Sequence, residues 1–304
     1  MKHAVEKKSN EDTSIEINHQ AQETYRLNKF ISDSGYASRR ASDRLVEDGK
    51  VSVDGVQAIV GMKITKDQEV VVEGHVLSRE TKRVYIMLNK PTGITCTTDL
   101  DIEGNISEFM NYPSIIFPIG RLDKDSSGMI LLTNDGDVVN KILREENNHD
   151  KEYIVTVEKP ITDSELRRMA QGVKILNAAK KEYQVTRPCE IKRISPNSYS
   201  IVLHQGLNRQ IRRMAEAVGL SVQKLKRISF AGLTIEGLKV GQYRILTPLE
   251  INKIKEQYNI SSSSKVRFPK ISRQPKLEPR SPSNVRSKLK SWDRSRTENK
   301  SKRG

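Results

Sequence analysis

The stretch Ile119–Asp137, IGRLDKDSSGMILLTNDGD, decides how this chain is read. An arginine and an acid, Arg121 and Asp123, precede the small residues Ser126-Ser127-Gly128, which lead into an apolar strand, MILLT. Asn134-Asp135-Gly136 then turns the chain into the start of a helix. On physical grounds alone Asp123 is an ordinary turn acid.

Working outward, RVYIMLNK (83–90) alternates as a half-buried strand and runs into a Pro91-Thr92-Gly93 turn. Further strands are expected at KEYIVTVEK, YSIVLHQG and YRILT, and helices at DGDVVNKILRE, TDSELRRMAQG and NRQIRRMAEAVG. Strands and helices are interspersed without a strict βαβ rhythm, which predicts an α+β fold rather than a doubly wound sheet. Nearer the N-terminus, Leu27, Phe30 and Ile31 fall at helical spacing and Gly35 is a natural stop. Ser38 can cap a second helix that buries Leu45 and Val46 and ends at Gly49. Short strands follow in VSVDGVQA and QEVVVEG. On that second helix Arg40 and Arg44 sit four apart with Arg39 beside them, so their guanidinium groups can form one patch.

Of the 304 residues, 53 are Lys or Arg and 38 Asp or Glu, a net charge of +15. The charge is concentrated at one end: residues 261–304 hold 14 basic and 3 acidic side chains, with 11 Ser and 4 Pro. A segment so poor in apolar side chains cannot offset its ordering entropy, so it is expected to be disordered and to add salt-dependent affinity for nucleic acid. Residues 1–22 are polar and are also expected to be disordered. No apolar run approaches the roughly 20 residues of a membrane span, and the first twenty residues have no apolar signal core. Two cysteines, Cys96 and Cys189, cannot build a disulfide framework or a zinc cluster, as expected of a protein of the reducing cytoplasm. There is no Walker loop, GxGxxG, HExxH or CxxC, and the five histidines are scattered. Metal, dinucleotide and nucleoside-triphosphate chemistry all lose support, and no cofactor is expected.

Two resemblances organise these readings. RLNKFISDSGYASRRASDRLVEDGKVSVDG (26–55) resembles the S4 RNA-binding domain, which implies RNA contacts for Arg39, Arg40 and Arg44. The stretch around Asp123 resembles the G-R-L-D-x-x-[ST]-x-G-[LM] signature of pseudouridine synthases. KEYIVTV resembles that family's K-x-Y-x-V strand, GLNRQIRRM (206–214) its third motif, and LNKPTG (88–93) the strand that opens its catalytic domain. HDKEYIVTVEKPIT and GLNRQIRRM look most like the branch known as 23S rRNA pseudouridine synthase F.

The resemblance implies a small S4 domain over 23–78, a catalytic domain with a mixed, largely antiparallel sheet over 82–255, and a basic tail over 256–304. It implies isomerisation of a uridine in ribosomal RNA, with 23S as the expected substrate and a tRNA anticodon stem-loop left open as a second. It casts Asp123 as the catalytic carboxylate, Tyr153 as the aromatic that stacks on the flipped base and removes the C5 proton, and Arg212 as the partner of Asp123. Arg121 is expected to contact RNA or help open the target site. In NRQIRRMAEAVG, Ile211, Met214, Ala215 and Val218 gather on one helical face, with Arg212 at its boundary and Arg209 and Arg213 opposite, free for phosphates. A non-catalytic relative that kept the fold is the rival from another class. It would be expected to lose the aspartate, tyrosine or arginine, and all three are present. The protein is expected to act as a monomer, without a membrane partner. Lys90, Asp125 and Asn134 are read as structural, at a strand end and in tight turns.

Overall fold

The computed structural model describes residues 24–65, 67–78, 83–143, 150–177, 181–258 and 260. The expected disordered N-terminus and basic tail lie outside the described residues, apart from 256–258 and 260. Among the described residues no helix is long and apolar enough to cross a membrane.

The N-terminal module runs β1 (Thr24–Arg26), α1 (Leu27–Asp33), α2 (Arg39–Glu47), β2 (Val51–Val53), β3 (Val56–Gln57), β4 (Lys63–Thr65), β5 (Val70–Val72) and β6 (His75–Val76). Ser38 caps α2, its side chain accepting the Ala41 N–H, and the helix ends before Gly49 at φ +73°. Val46 is buried as expected, while Leu45 lies only partly covered. Strands β3, β2, β5 and β6 form an antiparallel sheet in that order. Its first hairpin turns on Asp54 and Gly55 at φ 49° and 77°, the pair of positive φ angles that a type I′ turn demands. Leu27, Phe30 and Ile31 pack on Val51, Val53, Val70 and Val72 to make a small independent core.

The larger domain runs β7 (Tyr85–Lys90), α3 (Ile106–Met110), β8 (Phe117–Ile119), β9 (Ser127–Thr133), α4 (Gly136–Leu143), β10 (Lys151–Val157), α5 (Asp163–Gln171), β11 (Lys174–Asn177), β12 (Glu182–Val185), β13 (Glu190–Ser195), β14 (Ser198–Leu203), α6 (Gln210–Ala217), β15 (Val222–Phe230), β16 (Leu233–Thr234), β17 (Tyr243–Ile245) and α7 (Pro248–Gln257). The central sheet has the order β13-β14-β10-β15-β9-β7-β17, with β16 on β15 and β8 on β9. Every pairing in it is antiparallel except β15 with β9, so the fold is α+β with a mixed sheet. Strands β11 and β12 form a separate antiparallel ribbon.

The sheet is covered on both faces. Ile86, Leu88, Ile130, Leu132 and Val155 join α5 and α6 residues in one core, while Tyr85, Met87, Met129 and Leu131 join α4 and α7 residues in the other. This corrects one expectation: β7 is buried along its whole length, not half-buried. Alternation there sorts side chains between two cores rather than between core and water. The packed chain also extends past residue 255, because Tyr258 and Ile260 are buried against α7 and the second core.

The two modules touch. Lys29 on α1 reaches Asp33 at 2.7 Å and Asp137, in the first turn of α4, at 3.2 Å. Burial works against its charge, but the two carboxylates hold its ammonium above the usual lysine range.

Candidate active site

Asp123 lies in the loop between β8 and β9, with about a third of its side chain exposed (32%). The loop is fixed by its own backbone and by the turn after β7. Ser126 N–H donates to the Asp123 carbonyl at 3.0 Å, and Gly93 N–H to the Lys124 carbonyl at 2.8 Å. Leu122 N–H donates to Cys96 Sγ at 3.4 Å. Gly128 closes the loop where β9 meets β15. It has φ +108°, and a Cβ there would stand 2.2 Å from the Arg227 carbonyl oxygen, so only glycine lets the two strands approach.

Tyr153 sits on β10 at a register shift, opposite Ile201 of β14 and Arg227 of β15. Its ring is in the first core with 9% exposure, and among the described residues its hydroxyl makes no hydrogen bond. A bulge beside a functional side chain is a common way of aiming it.

The third motif is arranged differently from the expectation. Arg212 is 8% exposed and donates to two carbonyls, Val222 at 3.0 Å and Asp125 at 3.2 Å, while its Nε is buried without a partner. The guanidinium that comes near Asp123 is that of Arg209, at 3.8 Å, and the same group reaches Asp125 at 3.4 Å. The reason is backbone geometry. Arg209 is the N-cap of α6, in the left-handed region at φ 51°, whereas Arg212 is the third residue of the helix and is buried, with its Nη2 on the Asp125 carbonyl. Ile211, Met214, Ala215 and Val218 are buried together as the helical spacing requires. Arg213 is not free for phosphate. It donates to the Leu176 carbonyl of β11 and, at 3.2 Å, to Asn208, and so ties the β11–β12 ribbon to α6.

Arg121 is exposed, as are Arg39, Arg40 and Arg44 on α2. Arg39 reaches Asn28 Oδ1 at 3.4 Å, and Asn28 in turn donates to both oxygens of Asp43, so the α1–α2 pair is cross-braced beneath the patch. The three S4 arginines belong to one helix face; the Asp123 cluster belongs to the other module. Asn134 is structural, its side chain accepting the Val84 N–H at 2.9 Å. Asp125 holds Arg209 rather than simply turning the chain.

Two buried cations join this site: Lys90, read from the sequence only as structural at a strand end, and Arg227, which the sequence does not single out. Lys90 closes β7 with no exposure and donates to the carbonyls of Pro91 and Ile94 at 2.9 and 2.8 Å. Burial pulls its ammonium down to about 8, with Cys96 and Asp123 pulling the other way. Arg227, 2% exposed on β15, donates through Nε to the Met129 carbonyl at 2.7 Å, and its Nη2 is buried without a partner. In the sequence KLKRISF it looks like part of a solvated basic run. The one available signal was its place two residues after Leu225 in a strand pattern.

Comparison with known proteins bears on this geometry. Residues 84–217 match the RNA pseudouridylate synthase family and residues 26–71 the S4 domain. The chain is 47% identical to the dual-specificity RNA pseudouridine synthase RluF of Escherichia coli O6:H1 over 254 residues, covering 83% of this chain and 84% of that one. It is 37% identical to the ribosomal large subunit pseudouridine synthase B of Bacillus subtilis, over 76% of this chain and 95% of the relative. A solved pseudouridylate synthase aligns with 30% identity and a TM-score of 0.54, over 75% of this chain and 99% of that one.

Proposed function

The chain belongs to the RNA pseudouridine synthases that carry an N-terminal S4 domain, and from that premise we infer that it isomerises one uridine of 23S ribosomal RNA. The observation that carries this reading is the Asp123 loop: a partly exposed carboxylate held by backbone bonds, with Arg209 at 3.8 Å and buried cations behind it.

The reaction breaks the C1′–N1 bond, turns the uracil, joins C1′ to C5, releases the C5 hydrogen as a proton and leaves N1 protonated, with no net change in atoms. It is redox-neutral and consumes no nucleotide. Asp123 assists cleavage as a carboxylate, by attack on C1′ or by taking a proton from the ribose, and both routes need it ionised. The target base must leave its stack to be reached. Tyr153 supplies the aromatic face for it, and its unengaged hydroxyl suits removal of the C5 proton. Arg212 acts through the loop backbone, holding the Asp125 carbonyl two residues from Asp123. Arg209 faces the carboxylate directly. Arg121 is exposed for an RNA phosphate, and Arg39, Arg40 and Arg44 supply salt-dependent contacts that set register on structured RNA. The working unit is a single chain in the cytoplasm, with the S4 domain over 23–78 and the catalytic domain over 82–255 continued by the packed end of α7.

A second RNA is favoured by one observation: the relative at 47% identity is named as dual-specificity. A tRNA anticodon stem-loop is the candidate. The test is release of tritium from uridine C5, with 23S fragments and tRNA stem-loops assayed side by side. Release from a single 23S uridine is the expected result, with release from the tRNA stem-loop as well if the second substrate holds. Release from tRNA alone overturns the 23S assignment, and release from neither overturns the synthase reading.

A further inference from the structure

Arg227 is an unexpected charged side chain for the interior of a sheet strand. It is among the largest fully buried side chains, and among the described residues no carboxylate pairs with it. A buried guanidinium without a counter-ion is costly, and an apolar residue of similar volume would commonly fold as well or better. Packing alone therefore gives no reason for an arginine here.

Its contacts give one. Nε donates to the Met129 carbonyl at 2.7 Å, and Nη1 reaches the Arg121 carbonyl at 3.5 Å. Those carbonyls stand at the two ends of the stretch that carries Asp123. The guanidinium carbon lies 4.9 Å from the centre of the Phe230 ring, which braces the fork from its own strand. Along the backbone Arg227 pairs with Gly128 of β9 on one side and Tyr153 of β10 on the other. One residue therefore touches both ends of the Asp123 loop by its side chain and is the register partner of Tyr153. The sole parallel pairing in the sheet passes through it.

We propose that Arg227 is a positioning residue for the isomerisation, a strap across the Arg121–Met129 loop that fixes Asp123 relative to Tyr153. The inference rests on the synthase reading above. The shape of the guanidinium matters: two carbonyls at different positions need a rigid fork, which lysine does not have. Its Nη2 remains a buried donor beside the site, a group that folds rarely leave unmade without use. Arg227 also adds to the depression of the Lys90 ammonium, behind burial as the main cause.

The test uses the full chain, a 23S fragment labelled at uridine C5, and single-turnover rates with RNA affinity measured in parallel. Arg227→Met keeps the volume and removes the fork. It is expected to fold, to bind RNA within about threefold of wild type, and to isomerise roughly 100-fold more slowly, the loss typical of a small misplacement of reacting groups. Arg227→Lys, able to reach the Met129 carbonyl alone, is expected to lie between the two, about tenfold slow, and it stands in if the Met variant does not fold. A folded variant of either kind with a rate within threefold of wild type overturns the proposal. So does a rate loss that saturating RNA restores, because a strap on the loop acts on the bound complex. Tritium release by wild type in the same assay separates failure of this inference from failure of the synthase reading.

Discussion

Arg39, Arg40 and Arg44 stand on the solvent side of α2, whereas Arg212 and Arg227 of the larger domain are 8% and 2% exposed and Lys90 is not exposed at all. The S4 module keeps the arginines of α2 in water above a core rich in valine, leucine, isoleucine and phenylalanine. The synthase domain takes cations out of water and binds them to backbone carbonyls around one loop. The difference fits the two tasks proposed above for these regions. A phosphate backbone is met by charges that can adjust and shed counterions, and rigidity adds little. A reacting carboxylate must be held in one place by groups that do not reorganise, and that requires buried, fixed donors.

Gly128→Ala is the harshest way to break the buried region without touching a charge. The new Cβ would collide with the Arg227 carbonyl at a φ of +108°, so a loss of about 2–4 kcal/mol in unfolding free energy is expected from strain and overpacking. Denaturant unfolding checks this, and a loss below 0.5 kcal/mol (roughly the level of a surface substitution) would mean the β9–β15 contact is looser than described. The exposed region is sharpened by Arg40→Ala combined with Arg44→Ala. RNA affinity should fall roughly tenfold and the slope of log affinity against log salt should drop by about 1.8, with the rate of bound RNA unchanged. A changed rate in the bound complex would put the S4 arginines into the chemistry.

A smaller effect tests an ion pair outside both sites. Arg244 grips both oxygens of Glu250, at 2.9 and 2.6 Å, and Glu250 also closes the capping box of α7. The Arg244 hydrogen bonds hold its carboxyl down to about 2, below the ordinary glutamate value of 4.5. Because the folded value is the lower one, this contribution is complete above about 4.5 and is lost as pH falls toward 2. The pair is partly exposed, so the contribution is small. The melting-temperature gap between wild type and Glu250→Gln should be constant from pH 7 to 5 and close below that, whereas a gap unchanged at pH 3 would contradict the assignment.

The same contrast governs what could be read from the sequence. Exposed function leaves a pattern: α1 and α2 show helical spacing, a serine cap and a terminal glycine, and the arginine patch follows from counting by four. The family was legible because long ordered motifs surround Asp123 and Tyr153, and residues 84–217 do match it. What failed were positions set by other parts of the chain. Strand β15, Val222–Phe230, went unread because Lys224, Lys226 and Arg227 make it look solvated. The swap between Arg209 and Arg212 beside Asp123 depends on a single left-handed backbone position before α6, which helical periodicity cannot supply. Lys90 was placed correctly at a strand end, but its burial depends on the Pro91–Ile94 turn folding back over it. Helix α7 and the packed Tyr258 and Ile260 lie where apolar residues are interrupted by Glu250, Lys253, Lys255 and Glu256 and run on into the basic tail, and that hid the end of the domain.

The most direct measurement is the single-turnover release of tritium from uridine C5 by wild type and Asp123→Asn, with RNA affinity determined for both. The substitution keeps the shape of the side chain and removes the charge that either route of cleavage needs. The account predicts a loss of at least roughly 10²–10⁴-fold, the range for a positioned acid–base group, with affinity unchanged within a few fold. An Asp123→Asn protein that turns over within tenfold of wild type would contradict it.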